Sequence, residues 1–401
     1  MNIKRLVLGT AAGALAVTGA QAADLPVVVE PIDYVRICDA YGTGFYYIPG
    51  TETCLRVAGR IRADYNVFFD PDDDDFNILG GYSQDGSNGY RFRARAYLYM
   101  DSRTNTEFGL LRTFTEIYWT SQFGGNLGVT LNNAFIQFGG LTFGRTQSFY
   151  DFLDASYGSS QLFTDSLSDT KTNLAAYTFA FGNGFSATLS LEDELTRRYG
   201  IQGGTYQGSR IPDIVGALRV DQGWGSAQLM AAGHYVEDIF SDSKYGFAIG
   251  AGVNVNVPFG NGTQVGIQGG YSQGALNYTS SGAVAPYGPW DATVGPGGNL
   301  NLVDAFNISG GFSTSFTPTV SLGVQVGYMY ADYGNNTFDV NGDGIFNDDL
   351  DFSNFDVDAF LGYSPVAGFV LGLGAQFKYV DTADAGSGSA LSAFFRAQRS
   401  F

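Results

Sequence analysis

The chain has 401 residues, of which only 15% are charged while 15% are aromatic, and its formal net charge is −18. Charged residues make up about 25% of an ordinary soluble domain, so the charge content is low for a soluble protein. The excess of acidic residues excludes nucleic acid as an expected partner, because phosphate binding requires a basic surface.

The N-terminal stretch has the pattern of a cleaved secretory signal peptide. Lys4 and Arg5 are followed by an apolar run and by the small-residue cleavage site Ala20-Gln21-Ala22. The apolar run is too short for a membrane anchor, which needs about 20 residues. Its removal leaves 19 basic and 39 acidic residues, a net charge of −20. We expect three parts: a signal peptide (1–22), an N-terminal segment (23–54) and a main domain (55–401).

Cys38 and Cys54 are the only cysteines, and they enclose a short segment rich in tyrosine and glycine. Secretion would place them in an oxidising compartment, where a disulfide is favoured over two free thiols. In the chain-entropy description, a cross-link over a loop this short stabilises the fold by about 3 kcal/mol.

From residue 55 onwards, amphipathic segments with a side-chain period of two follow one another, as in β-strands. Their connections tend to alternate between long and short, as in outer-membrane barrels. The prediction is an all-β fold, a 16-stranded antiparallel transmembrane β-barrel, closed because a sheet edge in lipid would leave backbone groups unpaired. An extracellular propeller or sandwich array lacks this rhythm. The segments are 55–67, 90–103, 109–119, 129–139, 141–147, 173–182, 184–192, 212–222, 225–238, 245–258, 262–274, 301–314, 319–332, 351–363, 367–381 and 390–401.

Residues 90–103 show the alternation most clearly, with apolar side chains on one face and arginines on the other. The preceding segment, 55–67, repeats the pattern. Strands that are apolar on one side and cationic on the other suit a wall between lipid and a wet lumen. Because adjacent strands lie about 4.8 Å apart, the cationic side chains should form one patch. We expect the lumen wall to carry Arg56, Arg60, Arg62, Arg91, Arg93, Arg95 and Arg112, with Glu116 beside them.

The connection 148–172 contains acidic and aromatic residues that could complete a constriction. Its acids are Asp151, Asp154, Asp165 and Asp169. Arginines that face acids across a narrow gap would set a transverse field and filter solutes by size and charge. The simpler interpretation is that the arginines bind these carboxylates and only stabilise the wall.

The other long connections are acidic, and solvated charge is the simplest interpretation of them. The stretch 339–351 also resembles a calcium loop, with Asp339, Asn341 and Asp343 at ligand positions and a glycine in the sixth place. It departs from the pattern at the twelfth position, where Leu350 replaces the bidentate acid. Calcium in this external loop is therefore one interpretation, and no other cofactor is expected.

Two blocks near the N-terminus resemble the alphaproteobacterial, rhizobial-type general porin family of the outer membrane. They are 34–42 (YVRICDAYG) and 45–57 (FYYIPGTETCLRV), and the runs 111–116 and 135–141 are similar too. The resemblance implies a 16-stranded homotrimeric porin whose third long loop folds into each lumen. The small outward residues of the first two strands favour the same region as the trimer interface: Gly59, Ala63, Ala94 and Ala96.

The last segment, 390–401, ends in Phe401, as in the C-terminal assembly signal of outer-membrane barrels. Arg399, near that end, is expected close to the periplasmic headgroups. The single histidine, His234, is expected to be a polar residue of the wall.

We therefore expect a general diffusion porin, in contact with outer-membrane lipid and lipopolysaccharide, that passes ions and small hydrophilic solutes. The alternative is a substrate-selective channel, which would need a longer aromatic track than Tyr97, Tyr99 and Tyr118 provide. An enzyme is not expected, because no acid–base constellation is visible, and 23–53 is too short for a plug domain. The arginines favour anions locally, but the larger number of acids predicts a weak cation preference.

Overall fold

The computed structural model describes residues 36–69, 89–122, 127–153, 166–295, 297–334 and 349–401. Within these residues, sixteen long strands form one antiparallel sheet. They are β1 (Cys54–Phe69), β2 (Tyr90–Thr106), β3 (Gly109–Gln122), β4 (Gly128–Phe138), β5 (Leu141–Gln147), β6 (Lys171–Gly182), β7 (Phe185–Glu192), β8 (Asp213–Gln222), β9 (Gly225–Glu237), β10 (Ser243–Asn256), β11 (Asn261–Gln273), β12 (Asp304–Thr317), β13 (Val320–Asp332), β14 (Phe352–Val366), β15 (Phe369–Thr382) and β16 (Gly386–Ser400).

The sheet closes on itself, since β1 pairs not only with β2 but also with β16. The closing register runs from Arg60 opposite Ser400 to Phe69 opposite Leu391. Closure gives every strand two neighbours, so that no edge is left unpaired. The predicted 16-stranded barrel is confirmed, including β5 and β8, where the alternation in the sequence is weakest.

The two faces of the wall are those that the alternation predicts. On β1 and β2, Ile61 and Phe92 are 49% and 57% exposed, whereas Arg62 and Arg93 are 8% and 6% exposed. The apolar face therefore points outwards and the arginine face points into the lumen. Large apolar side chains on the outside of a closed barrel suit a lipid environment.

The connections at one end of the barrel are tight turns. Gly139 and Gly140, between β4 and β5, have φ values of 56° and 96°. Two consecutive positive φ values are what the commonest two-residue hairpin turn requires, and glycine adopts them without strain. The long connections lie at the opposite end, so the predicted rhythm is confirmed.

Two of the long connections fold back over the barrel instead of extending away from it. The fourth loop (193–212) and the sixth loop (274–303) contain short elements of their own: the strands Ile201–Gln202, Ala292–Val294 and Leu300–Leu302, and the 3-10 helices Glu194–Thr196 and Leu276–Tyr278. Apolar residues of both loops pack on the buried Val236 of β9. Both loops thus fold back onto the lumen side of the wall, because that is where their apolar residues find partners.

The N-terminal segment carries a disulfide between Cys38 and Cys54, whose Cα atoms are 6.0 Å apart, as predicted. The short strand Tyr46–Tyr47 pairs with the start of β1. Among the residues that the structure describes, no helix is long and apolar enough to cross a membrane.

Several expectations concern residues outside the described ranges. They are the signal peptide (1–22), the constriction acids Asp154 and Asp165, and the calcium candidates Asp339, Asn341 and Asp343.

Candidate pore constriction

The predicted arginine patch is assembled by the pairing of the first two strands. Arg62 lies opposite Arg95, and Arg93 lies opposite Asp64 in the register of β1 with β2. Because these positions share the lumen-facing parity, their side chains meet on the inside of the barrel. Arg91 belongs to the same patch and donates to the Asn66 side chain at 3.4 Å.

One carboxylate on the wall forms ion pairs with three arginines. Asp64 lies 3.2 Å from Arg62, 2.8 Å from Arg93 and 2.9 Å from Arg396 of β16. The Asp64 side chain is only 1% exposed. The sequence interpretation assigned this neutralising role to the acids of the constriction loop and to Glu116, whereas among the described residues Asp64 fills it for Arg62 and Arg93. Asp64 has the same strand parity as the arginines, which is the signal that could have found it.

A second wall carboxylate, Asp101, forms ion pairs with one arginine at the end of β2 and one at the start of β3. Arg103 lies 2.8 Å from it and Arg112 lies 3.1 Å from it. Arg112 also donates to the Gln137 side chain on β4 at 3.1 Å. The wall therefore contains two clusters in which arginines outnumber their shared acid.

Three arginines of the patch have no carboxylate partner among the residues that the structure describes. The Arg60 guanidinium lies over the Tyr97 ring at 3.9 Å, and Arg95 lies over the Tyr118 ring at 4.8 Å. The third, Arg56, lies 5.2 Å from the ring centroid of an aromatic residue in the N-terminal segment. An aromatic face attracts a guanidinium without neutralising it, so these side chains keep their positive charge toward the lumen.

The predicted wall acid, Glu116, accepts a hydrogen bond from the Asn133 side chain at 2.5 Å. Glu116 lies on β3, opposite Tyr99 of β2. Its strand therefore separates the arginines of β2 from β4. The structure thus places Glu116 on the lumen wall, as the sequence predicts.

The two described limbs of the constriction loop, 148–153 and 166–172, are attached to the lumen side of the wall. Its incoming limb donates from the Leu153 N–H to Gln268 of β11 at 2.8 Å. Its outgoing limb donates from the Ser166 N–H to Asp356 of β14 at 2.8 Å, and the Ser166 carbonyl accepts from Asn307 of β12 at 2.8 Å. Around the ring, β11 and β12 lie seven and six strands from β2, whereas β14 is separated from β16 by β15 alone. The two described limbs therefore run over the lumen side of the wall from β5 and β6 to β11, β12 and β14.

The two described acids of this loop lie at its base. Asp151 pairs with Arg197 of the fourth loop at 3.0 Å, and it also accepts from the Thr170 N–H at 2.8 Å. Asp169 accepts from the Gln147 side chain at 2.9 Å. The ion pair of Asp151 therefore joins two loops rather than the loop and the arginine wall.

The predicted wall residue His234 is fully buried beneath the fourth and sixth loops. Its Nδ1 lies 2.8 Å from Asp213 of β8, and its Nε2 lies 3.3 Å from the Tyr206 hydroxyl. Asp213 also accepts from the Tyr278 hydroxyl at 2.7 Å. His234 is thus part of a polar network that connects the wall to the two loops.

Comparison with known proteins agrees with this architecture. Residues 24–399 match the porin subfamily. Porin Omp2b of Brucella neotomae is 37% identical over 312 residues, which are 72% of this chain and 78% of Omp2b. The outer membrane channel DcaP of Acinetobacter baumannii matches with a TM-score of 0.70 at 17% identity, over 88% of this chain and 99% of DcaP. An anion-selective porin from Comamonas acidovorans matches with a TM-score of 0.52 at 12% identity, over 87% and 100% of the two chains. The chain therefore belongs to the porin subfamily and is a β-barrel porin of the outer membrane.

Proposed function

We propose that this general porin passes ions and small hydrophilic solutes through a water-filled gap between the arginine wall and the constriction loop. The observation that carries the proposal is the uncompensated charge of the wall. Arg60 and Arg95 rest on tyrosine rings, and the three arginines around Asp64 share a single carboxylate. Lumen charges of this kind tune which solutes enter a pore.

The filter needs negative charge on the opposite side, and we propose that the constriction loop supplies it. Asp154 and Asp165 lie between the two limbs of that loop in sequence. Opposed charges would orient dipolar solutes in the gap and slow those that cannot align. We expect no enzymatic activity from this arrangement.

Liposome swelling with sugars of increasing size, together with single-channel conductance, tests the diffusion function. The expected result is a swelling rate that falls steadily with solute size and does not saturate with concentration. A rate that saturates for one solute and is absent for others of the same size would instead support the alternative, a substrate-selective channel. The absence of any conductance would contradict both.

We also propose that the chain is secreted with a cleaved signal peptide and that the mature porin is a homotrimer in contact with outer-membrane lipid and lipopolysaccharide. Ala63 and Ala94 lie opposite each other on the outer face of β1 and β2, where small side chains allow close approach of another subunit. Ala94→Trp should then lower the temperature at which native trimers dissociate on a gel. Unchanged dissociation would contradict this interface.

Calcium binding by Asp339, Asn341 and Asp343 is a further proposal, based on the sequence pattern alone. Weak extracellular sites bind calcium at about 0.1 to 1 mM. Protease protection of the 339–351 loop by calcium at that concentration would support it, and identical digestion with and without calcium would contradict it.

A further inference from the structure

The constriction loop does not rest on the barrel wall alone, because the fourth and sixth loops form a layer behind it. The Ser281 N–H of the sixth loop donates to the Leu167 carbonyl of the constriction loop at 3.0 Å. The Tyr199 hydroxyl of the fourth loop donates to the Ser280 carbonyl of the sixth loop at 2.7 Å. Three connections that are distant in sequence thus pack as one unit inside the barrel.

Arg197 of the fourth loop lies at the centre of this unit and is completely buried. Its guanidinium contacts both limbs of the constriction loop: one nitrogen lies 3.0 Å from the Asp151 carboxylate and the other donates to the Ser168 hydroxyl at 2.8 Å. The second nitrogen also reaches the side-chain oxygen of Asn277 in the sixth loop at 3.3 Å, and the guanidinium lies 4.3 Å from the Tyr278 ring. The Arg197 side chain therefore joins the fourth loop, from which it extends, to the sixth loop and to both limbs of the constriction loop.

The charge of this guanidinium is maintained by its surroundings. Burial by itself would lower the pKa of Arg197, but the adjacent Asp151 carboxylate and Tyr278 raise it above its ordinary value. A planar guanidinium can hold two acceptors at fixed angles, which a lysine ammonium cannot do.

The sixth loop is in turn attached to the wall behind it. The Asn354 side chain on β14 donates to the Val284 carbonyl and accepts from the Val284 N–H, both at 2.7 Å. Lys378 on β15 donates to the Gly282 carbonyl at 2.8 Å. A continuous set of contacts thus runs from the rigid wall through the sixth loop and Arg197 to both limbs of the constriction loop.

We propose that Arg197 is a positioning residue for the constriction, so that the exclusion size of the pore depends on the fourth and sixth loops as well as on the third. The inference rests on the diffusion function and deepens it. Without the guanidinium, the limbs at Asp151 and Ser168 still contact each other, and Ser281 still bonds to Leu167. The ion pair that fixes both limbs to the fourth loop is lost, and the contact of Arg197 with Asn277 is lost with it. The two limbs are then held less firmly against the wall, and the width of the gap that they border fluctuates.

The test compares Arg197→Met with Arg198→Met in the full-length porin. Arg198→Met is the matched control, because this substitution removes the same charge from the same loop. The partners of Arg198 are Glu194 at 2.7 Å, the Gln207 carbonyl at 3.0 Å and the Tyr206 ring at 4.3 Å, all within the fourth loop. Heat-dependent gel mobility reports whether each variant forms a barrel. Liposome swelling with sugars and the single-channel current report the width of the gap and its fluctuation.

The expected result for Arg197→Met is a folded barrel with a changed sugar-size cut-off and a noisier open-channel current, while Arg198→Met matches the wild type. Arg197→Lys, which keeps the charge but not the planar fork, should lie between the two, and it decides the question if Arg197→Met does not assemble. A cut-off and current noise equal to the wild type in the Arg197 variants would overturn the proposal. So would an equal change in Arg198→Met. A wild-type porin without sugar permeability would instead refute the diffusion function itself.

Discussion

Asp64→Asn is expected to destabilise the barrel strongly, because one buried carboxylate serves three arginines. The contacts to Arg62, Arg93 and Arg396 are 3.2, 2.8 and 2.9 Å long, and the exposed fractions of the three arginine side chains are at most 9%. Asparagine has nearly the same shape but no charge. The change therefore removes the compensating charge while leaving the packing of the wall intact.

The magnitude follows from the charges that remain. Two guanidinium groups about 5 Å apart, as a shared carboxylate requires, repel each other by about 3 kcal/mol at an effective dielectric constant of about 20. Removing one partner from a buried ion pair costs about 3 to 5 kcal/mol in measured cases. Because both figures describe the same uncompensated charge, we expect a loss of about 3 to 5 kcal/mol in the free energy of unfolding rather than their sum.

Urea unfolding, followed by heat-dependent gel mobility and tryptophan fluorescence, measures this loss. The control is Asp221→Asn. Asp221 pairs with Arg219 at 2.8 Å, but the two side chains are 55% and 39% exposed, and exposed pairs contribute only about 0 to 1 kcal/mol. In Asp64→Asn, the further change Arg93→Gln should recover part of the stability by removing one repelling charge. An Asp64→Asn barrel as stable as the wild type would refute the reasoning.

Three further predictions follow from the structure. Gly59→Val should slow barrel assembly, because a β-carbon at Gly59 would lie 2.5 Å from the Phe401 ring, whereas Gly216→Val, facing open space, should assemble at the wild-type rate. Replacing Cys38 and Cys54 together by serine should lower the free energy of unfolding by about 3 kcal/mol in urea titrations, and an unchanged value would contradict the cross-link's role. If the weak cation preference predicted from the sequence originates in exposed acids, it should be largest in dilute salt and fade at 1 M, where the Debye length is about 3 Å; a preference that grows with salt would contradict that origin.

The barrel and the orientation of its strands are predictable from the sequence because their signal is local. A period of two over ten or more residues determines both that a strand forms and which face is apolar, as residues 90–103 show. The contact between Asp64 and Arg396 is different, because it exists only once the last strand closes against the first. Its partners are 332 positions apart in sequence. Local alternation shows that both face the lumen, but it does not give the register of closure.

The inner layer of loops was not predictable for a related reason. Arg197 and Asn277 lie in loops, where no extended period indicates which side chains are buried. Their burial depends on three loops packing together, which becomes visible only in the folded chain. The small outward residue Gly59 gives a similar lesson. The sequence interpretation assigns it to a trimer interface, and within one chain it also accommodates the ring of Phe401, which the sequence does not indicate.

The reversal potential in a salt gradient tests the central claim, that the inner-wall arginines without a described carboxylate partner draw the selectivity of the pore toward anions and so oppose the exposed acids. Arg95→Ser removes one such charge from the lumen, whereas Arg399→Ser removes the same charge from the outer face, where Arg399 contacts only the Ala367 carbonyl among its described hydrogen-bond partners. The account predicts that Arg95→Ser moves the reversal potential toward cation selectivity and that Arg399→Ser leaves it at the wild-type value. An unmoved potential in Arg95→Ser, or an equal shift in both variants, would contradict the account.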